Sequence, residues 1–140
     1  MLTVDKTKTG VKQILIVDDH ADLRTIFEHV FRKHGYDVTV AVDGEQALEA
    51  IEANAPDLIV MDVNMPKRSG LDVLRQIRAT PHLRHIKVML VTGNYLVSQS
   101  PEIDLADLVL IKPIGIHELI ELAQRLAPQD SAARFSEQRR

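Results

Sequence analysis

Four short apolar runs in this sequence each lead into a polar residue capable of chemistry. ILIV at 14–17 runs into Asp18 and Asp19, and DLIVM at 57–61 runs into Asp62. KVMLV at 87–91 meets Thr92 and Gly93, and LVLI at 108–111 meets Lys112 and Pro113. If these runs lie side by side in one sheet, three carboxylates, one hydroxyl and one ammonium collect at a single edge. Two carboxylates about 4 Å apart repel by roughly 4 kcal/mol at an effective dielectric near 20. Such a cluster asks for a compensating cation. Lys112 supplies one charge, and a hard divalent ion would supply two more. The side-chain donors are oxygens, and the chain has no cysteine, which favours magnesium over zinc or copper. Magnesium keeps several waters and commonly shares its site with a phosphoryl group, so the cluster points to phosphate chemistry with a carboxylate as actor. For Asp18 and Asp19 alone, a solvated strand end is the simpler account. Asp62 and Lys112 tip the balance to a metal site.

The elements that must position these groups follow from periodicity. Gln13 to Val17 reads as a strand. Leu23, Ile26, Phe27, Val30 and Phe31 repeat as one face of a helix, with Gly35 as its stop. Tyr36 to Val42 is a second strand. Asp43 caps a helix carrying Ala47, Leu48 and Ile51 that ends near Asn54, ahead of Pro56. Asp57 to Met61 is the third strand, and Asn64 to Gly70 is a loop. A helix on Leu71, Leu74 and Ile77 stops before Pro81. Lys87 to Val91 and Leu108 to Ile111 are the fourth and fifth strands. Between them, Asn94 to Asp107 has no clean helical period. Leu119, Ile120, Leu122, Ala123 and Leu126 line a last helix, ended by Pro128. Strands alternating with helices predict an α/β fold, a parallel sheet with helices on both faces. Ligands of such folds sit outside the carboxyl ends of the strands.

The 140 residues suit one domain. The expected division is a flexible extension over 1–12, a domain over 13–127 and a flexible tail over 128–140. Apolar residues make up 45% but aromatics only 4%, so the core must be aliphatic. The net charge of −3 gives no basic field for nucleic acid or anionic membrane. No apolar run approaches a membrane span, and the N-terminus lacks a signal core. The expected location is cytoplasmic.

With these motifs in place, the sequence resembles the receiver domain of two-component response regulators. The resemblance spans roughly Gln13 to Leu126 and rests on ILIVDD, LIVMDVNMPKRSG, MLVTG and IKP, each at a strand end and in that order. It implies a flavodoxin-like, doubly wound five-stranded parallel sheet of order 2-1-3-4-5. It also implies that Asp62 accepts a phosphoryl group from a sensor histidine kinase or a histidine phosphotransfer protein. Asp19 would be the direct metal ligand, with Asp18 helping through water. Asp62 and the backbone carbonyl of Asn64 would complete the protein's share of a Mg2+ site that also suits Mn2+. Thr92 and Lys112 would bind phosphoryl oxygens, across an expected cis Lys112-Pro113 bond, and Gly93 would leave the group room. The domain would be a phosphoacceptor rather than an enzyme, self-phosphorylating from small donors and losing the group to water. It would be a monomer or weak dimer that meets its downstream protein through the region around Asn94 to Leu126.

The chain also departs from the family. The residue three positions before the lysine, usually aromatic, is Val109. The stretch GNYLVSQSPEIDLADL lacks the usual fourth helix, and Tyr95 is the nearby aromatic. Two alternatives follow: a phosphorylation-independent interaction module, or a receiver cut from a regulator with a DNA-binding or enzymatic output domain. His82 and His85 have ligand-like spacing but no third partner. His20 borders the acidic pair, where an ordinary exposed histidine is the simpler reading.

Overall fold

The computed structural model describes residues 11–129. Five strands, β1 (Gln13–Val17), β2 (Asp37–Ala41), β3 (Leu58–Asp62), β4 (Lys87–Thr92) and β5 (Leu108–Ile111), form one sheet. Its order is β2-β1-β3-β4-β5, and every pairing is parallel. The sequence reading of fold class and strand order holds. Helices α1 (Ala21–Lys33), α2 (Gly44–Ala53), α3 (Gly70–Ala79) and α4 (Ile116–Leu126) provide the covering layers.

Strand residues alternate between two cores, which is why the central strands read as unbroken apolar runs. Ile14, Ile16, Leu58, Val60, Met89 and Val91 pack with Phe27 and Phe31 of α1 and Leu119, Ile120 and Ala123 of α4. Leu15, Val17, Ile59, Met61, Val88 and Leu90 pack on the other face with Ala47, Ile51, Val73, Leu74 and Ile77 of α2 and α3. Asp43 caps α2 as expected, accepting from Gln46 N–H at 2.8 Å. Ser69 does the same for α3 through Asp72 N–H at 3.2 Å. Ile26 departs from the expected core stripe and is 46% exposed, because its position lies at the rim of the α1 face.

The stretch that lacked a helical period forms two 3-10 turns, Tyr95–Gln99 and Pro101–Leu105. They fill the space that a helix would otherwise occupy, with Val97, Ile103 and Ala106 against the second core. Polar groups from α3 hold the second turn in place. Arg75 pairs with Glu102 at 3.0 Å. Arg78 donates to the carbonyls of Leu105, Arg84 and Ile86 and to Asp107 Oδ2, at 2.7–2.9 Å.

Contacts are also made just beyond the expected domain bounds of 13 and 127. Lys12 N–H donates to Gln129 Oε1 at 3.1 Å, and Gln129 Nε2 reaches His34 O at 3.3 Å. Tyr36 Oη donates to Ala127 O at 2.9 Å. The remainder of the two ends expected to be flexible, 1–10 and 130–140, lies outside the described residues. Among the described residues no helix is long and apolar enough to cross a membrane.

Candidate functional site

Strand register places the site. Val17 of β1 lies beside Met61 of β3, and Asp62 lies beside Val91 of β4. Asp18 and Asp62 are thus neighbours where their strands end. Both are buried, at 3% and 4% exposure. Buried carboxylates need partners, and these have them. Asp62 Oδ1 accepts the Asn64 N–H at 3.0 Å, and Oδ2 accepts from Lys112 Nζ at 3.1 Å. Asp18 Oδ1 accepts the His20 N–H at 2.8 Å. Asp19 stands at the rim, more open to water.

Thr92 is buried at the end of β4. Its hydroxyl accepts the Asn94 N–H at 3.0 Å, and its carbonyl accepts the Lys112 N–H at 2.8 Å. Among the described residues no hydrogen bond joins the Thr92 hydroxyl to Asp62. Thr92 therefore touches the cluster through the backbone that aims Lys112. The Lys112-Pro113 bond is cis, as the resemblance implied. A Cβ on Gly93 would meet no atom within 4 Å, which agrees with open space there.

Three further residues shape the site, and the sequence reading did not single out these roles. Gly70, at the start of α3, packs so closely that a Cβ would lie 2.6 Å from the Asp62 carbonyl and 3.0 Å from Val63 Cα. Arg24 donates to the Asp18 carbonyl at 2.7 Å, fixing the β1–α1 turn. His20 is the largest departure. Its Nδ1 lies 3.1 Å from Asp18 Oδ1, 3.3 Å from Asp19 Oδ1 and 4.0 Å from Asp62 Oδ2. The ring is exposed, as the simpler reading expected, but one of its nitrogens lies beside the carboxylates. The signal available was its place directly after the acidic pair. His82, by contrast, pairs with Glu52 at 3.2 Å, away from the site. Val109, at the usual aromatic position, is a partly buried residue against the second core, and Tyr95 is exposed on the first 3-10 turn.

Ligand atoms of Asp18, Asp19, His20 and Asp62 all lie within 4.8 Å of one another. Two buried carboxylates, a half-open third and one lysine leave net negative charge facing solvent. Hard oxygen donors with room for waters fit a magnesium-like ion. Asp18, Asp19 and Asp62 are the side chains that would hold it.

Comparison with known proteins agrees with this geometry. The family model "Response regulator receiver domain" matches residues 14–124. This chain belongs to the response regulator receiver domain family. Among curated relatives, the receiver domain is 36% identical over 126 residues to the response regulator MprA of Mycolicibacterium vanbaalenii, covering 86% of this chain and 54% of that protein. It is 46% identical over 67 residues to the alkaline phosphatase synthesis transcriptional regulatory protein PhoP of Bacillus subtilis, covering 48% of this chain and 28% of that one. The chain spans about half or less of the length of these relatives. Among solved receiver structures, the response regulator TrrA of Thermotoga maritima, in complex with Mg2+ and beryllofluoride, has a TM-score of 0.77 and 30% identity, covering 83% of this chain and 99% of that one. The chemotaxis response regulator CheY4 of Vibrio cholerae has a TM-score of 0.76 and 27% identity, covering 83% and 98%.

Proposed function

We propose that this receiver domain is a magnesium-dependent phosphoacceptor and that Asp62 is the residue that takes the phosphoryl group. The observation that carries this reading is the placement of Asp62. It lies at the carboxyl end of the central strand, buried, 3.1 Å from Lys112 Nζ and within 4.8 Å of the Asp18 and Asp19 ligand atoms. The similarity to a regulator solved with Mg2+ and beryllofluoride, a phosphoryl mimic, supports it.

In the proposed step an Asp62 carboxylate oxygen attacks the phosphorus of a phosphohistidine on a partner kinase or phosphotransfer protein. The new P–O bond forms as the P–N bond breaks, and the leaving imidazole takes up a proton. Phosphoryl transfer asks the protein mainly for position and charge. Asn64 N–H fixes one Asp62 oxygen and Lys112 holds the other, so the carboxylate is oriented before the donor arrives. Lys112 then stays near the transferred oxygens. Asp18 and Asp19, with Asp62 and the Asn64 carbonyl, would hold Mg2+, or Mn2+ in its place. A bound ion would neutralise charge on the transferring group. The adduct adds about 1.5 to 2 negative charges at the strand end. Thr92 is the hydroxyl proposed to respond, giving up its turn with Asn94. The 3-10 segment that follows directly is the element its movement would bias. The downstream partner would be met on the surface from Asn94 to Leu126. The domain would be an acceptor and timer rather than an enzyme with a separate substrate.

The test is intact mass after incubation with acetyl phosphate and Mg2+. One added phosphoryl group is expected in the wild type. None is expected in Asp62→Ala or with chelator. An unmodified wild type that also fails to bind beryllofluoride would end this reading.

A further inference from the structure

His20 does more at the acidic cluster than border it. On the reading that Asp18, Asp19 and Asp62 hold a divalent ion, we propose that His20 is a further ligand of that ion and that its nitrogen tilts the site's selectivity towards borderline transition ions such as Co2+. The distances carry this. Metal–ligand bonds of about 2.1 Å at right angles put neighbouring donors about 3.0 Å apart, and tetrahedral angles put them about 3.4 Å apart. His20 Nδ1 lies 3.1 and 3.3 Å from Asp18 Oδ1 and Asp19 Oδ1. Both distances fall in the range of such edges, and the shorter is also a hydrogen-bond distance. Asp62 Oδ2, which also accepts from Lys112, lies further off at 4.0 Å.

The backbone sets this placement. His20 precedes α1 in an extended conformation, φ −87° and ψ 109°, and its side chain makes no capping bond to the helix. Its N–H is held by Asp18 Oδ1 at 2.8 Å. The Arg24–Asp18 carbonyl bond stiffens the same turn. The ring is therefore delivered to the carboxylates rather than to the helix end. A neutral imidazole ligates through one nitrogen and carries its proton on the other, and the His20 side chain is exposed to solvent. Imidazole nitrogen suits cobalt, zinc and nickel, whereas magnesium gains little from it.

The competing account is that the ring only donates a hydrogen bond to Asp18. Calorimetric titration with Mg2+ alone and Co2+ alone separates the two, on wild type, His20→Ala and Asp19→Asn. Loss of His20 is expected to weaken Co2+ binding by about tenfold or more and Mg2+ binding by less than threefold. The visible absorption of bound Co2+ is expected to shift as a nitrogen ligand is replaced. His20→Asn, which offers α1 a side-chain cap that the histidine does not make, is expected to lose the same selectivity. The relevant Co2+ site is the one that Asp19→Asn also weakens, which sets aside ions on other histidines. If His20→Ala changes both ions equally, or neither, while Asp19→Asn weakens both, the acidic site stands and His20 is not its ligand. If Asp19→Asn leaves both ions untouched, the metal-site reading falls and this proposal with it.

Discussion

The substitution Asp18→Asn tests the electrostatics of the site apart from its chemistry. Asp18 and Asp62 are both almost fully buried, and their ligand atoms lie within 4.8 Å. At that separation two carboxylates repel by about 3.5 kcal/mol at an effective dielectric of 20. Asp19 adds a smaller share, since water screens it. Lys112 offsets part of the repulsion through Asp62. Asparagine keeps an oxygen for the His20 N–H and removes the charge, so the net expectation without metal is a stabilisation of about 2 kcal/mol. For a chain of this size each kcal/mol moves the melting temperature by roughly 3 °C, giving a rise of about 6 °C. Magnesium narrows the gap. At ten times its Kd an ion that binds only the folded state adds about 1.4 kcal/mol. The wild type is expected to gain this and the variant most of it to lose. The assay is thermal unfolding by circular dichroism at pH 8 with chelator and then with Mg2+. A variant less stable than wild type in chelator, or equally stabilised by Mg2+, would show that repulsion does not dominate this site.

Gly70→Ala forces a Cβ to 2.6 Å from the Asp62 carbonyl. It should cost about 2–3 kcal/mol by denaturant unfolding and weaken Mg2+ binding as the end of β3 shifts. Arg78→Ala removes the bonds to the Leu105, Arg84 and Ile86 carbonyls and to Asp107. It should cost on the order of 3 kcal/mol and speed hydrogen exchange over residues 101–107 more than over β1. The Gln46 N–H, with help from the Lys67 ammonium, holds the Asp43 carboxyl below the usual carboxylate range. A folded-state pKa below the unfolded one means that Asp43 stabilises above about pH 4 and that this contribution is lost as pH falls through the folded pKa. Asp43→Asn should therefore lag the wild type in melting temperature near neutral pH, with the gap closing below about pH 4.

The sheet and the acidic edge were legible because they depend on nearby residues. Apolar runs such as LIVM at 58–61 must be buried on both faces, and a parallel sheet then delivers whatever follows each run to one edge. Asp18, Asp62 and Lys112 met for that reason. Thr92 reached the same edge, yet its hydroxyl turned to Asn94 N–H, a local competition that strand order does not decide. His20 was harder to read. Its ring position depends on one pair of backbone angles before α1, and residue type alone leaves an exposed histidine as the simpler account. The Arg78 network joins carbonyls from three separate segments, and carbonyls carry no sequence signal. The bond between Lys12 and Gln129 spans 117 positions, a contact that local polarity does not reveal. Residues 94–107 were legible only as an absence of helical period. The two 3-10 turns come from the Asn94 side chain capping Leu96 and from Pro101 opening the second turn.

The central claim is that Asp62, and no other carboxylate of the cluster, forms the acyl phosphate. Borohydride reduction after treatment with acetyl phosphate and Mg2+ converts an aspartyl phosphate to homoserine, and peptide mass mapping then reads its position. Homoserine is predicted at residue 62 alone, and nowhere when Mg2+ is chelated. Homoserine at Asp18 or Asp19, or full retention of aspartate at 62 in a protein that carries the phosphoryl mass, would contradict the account.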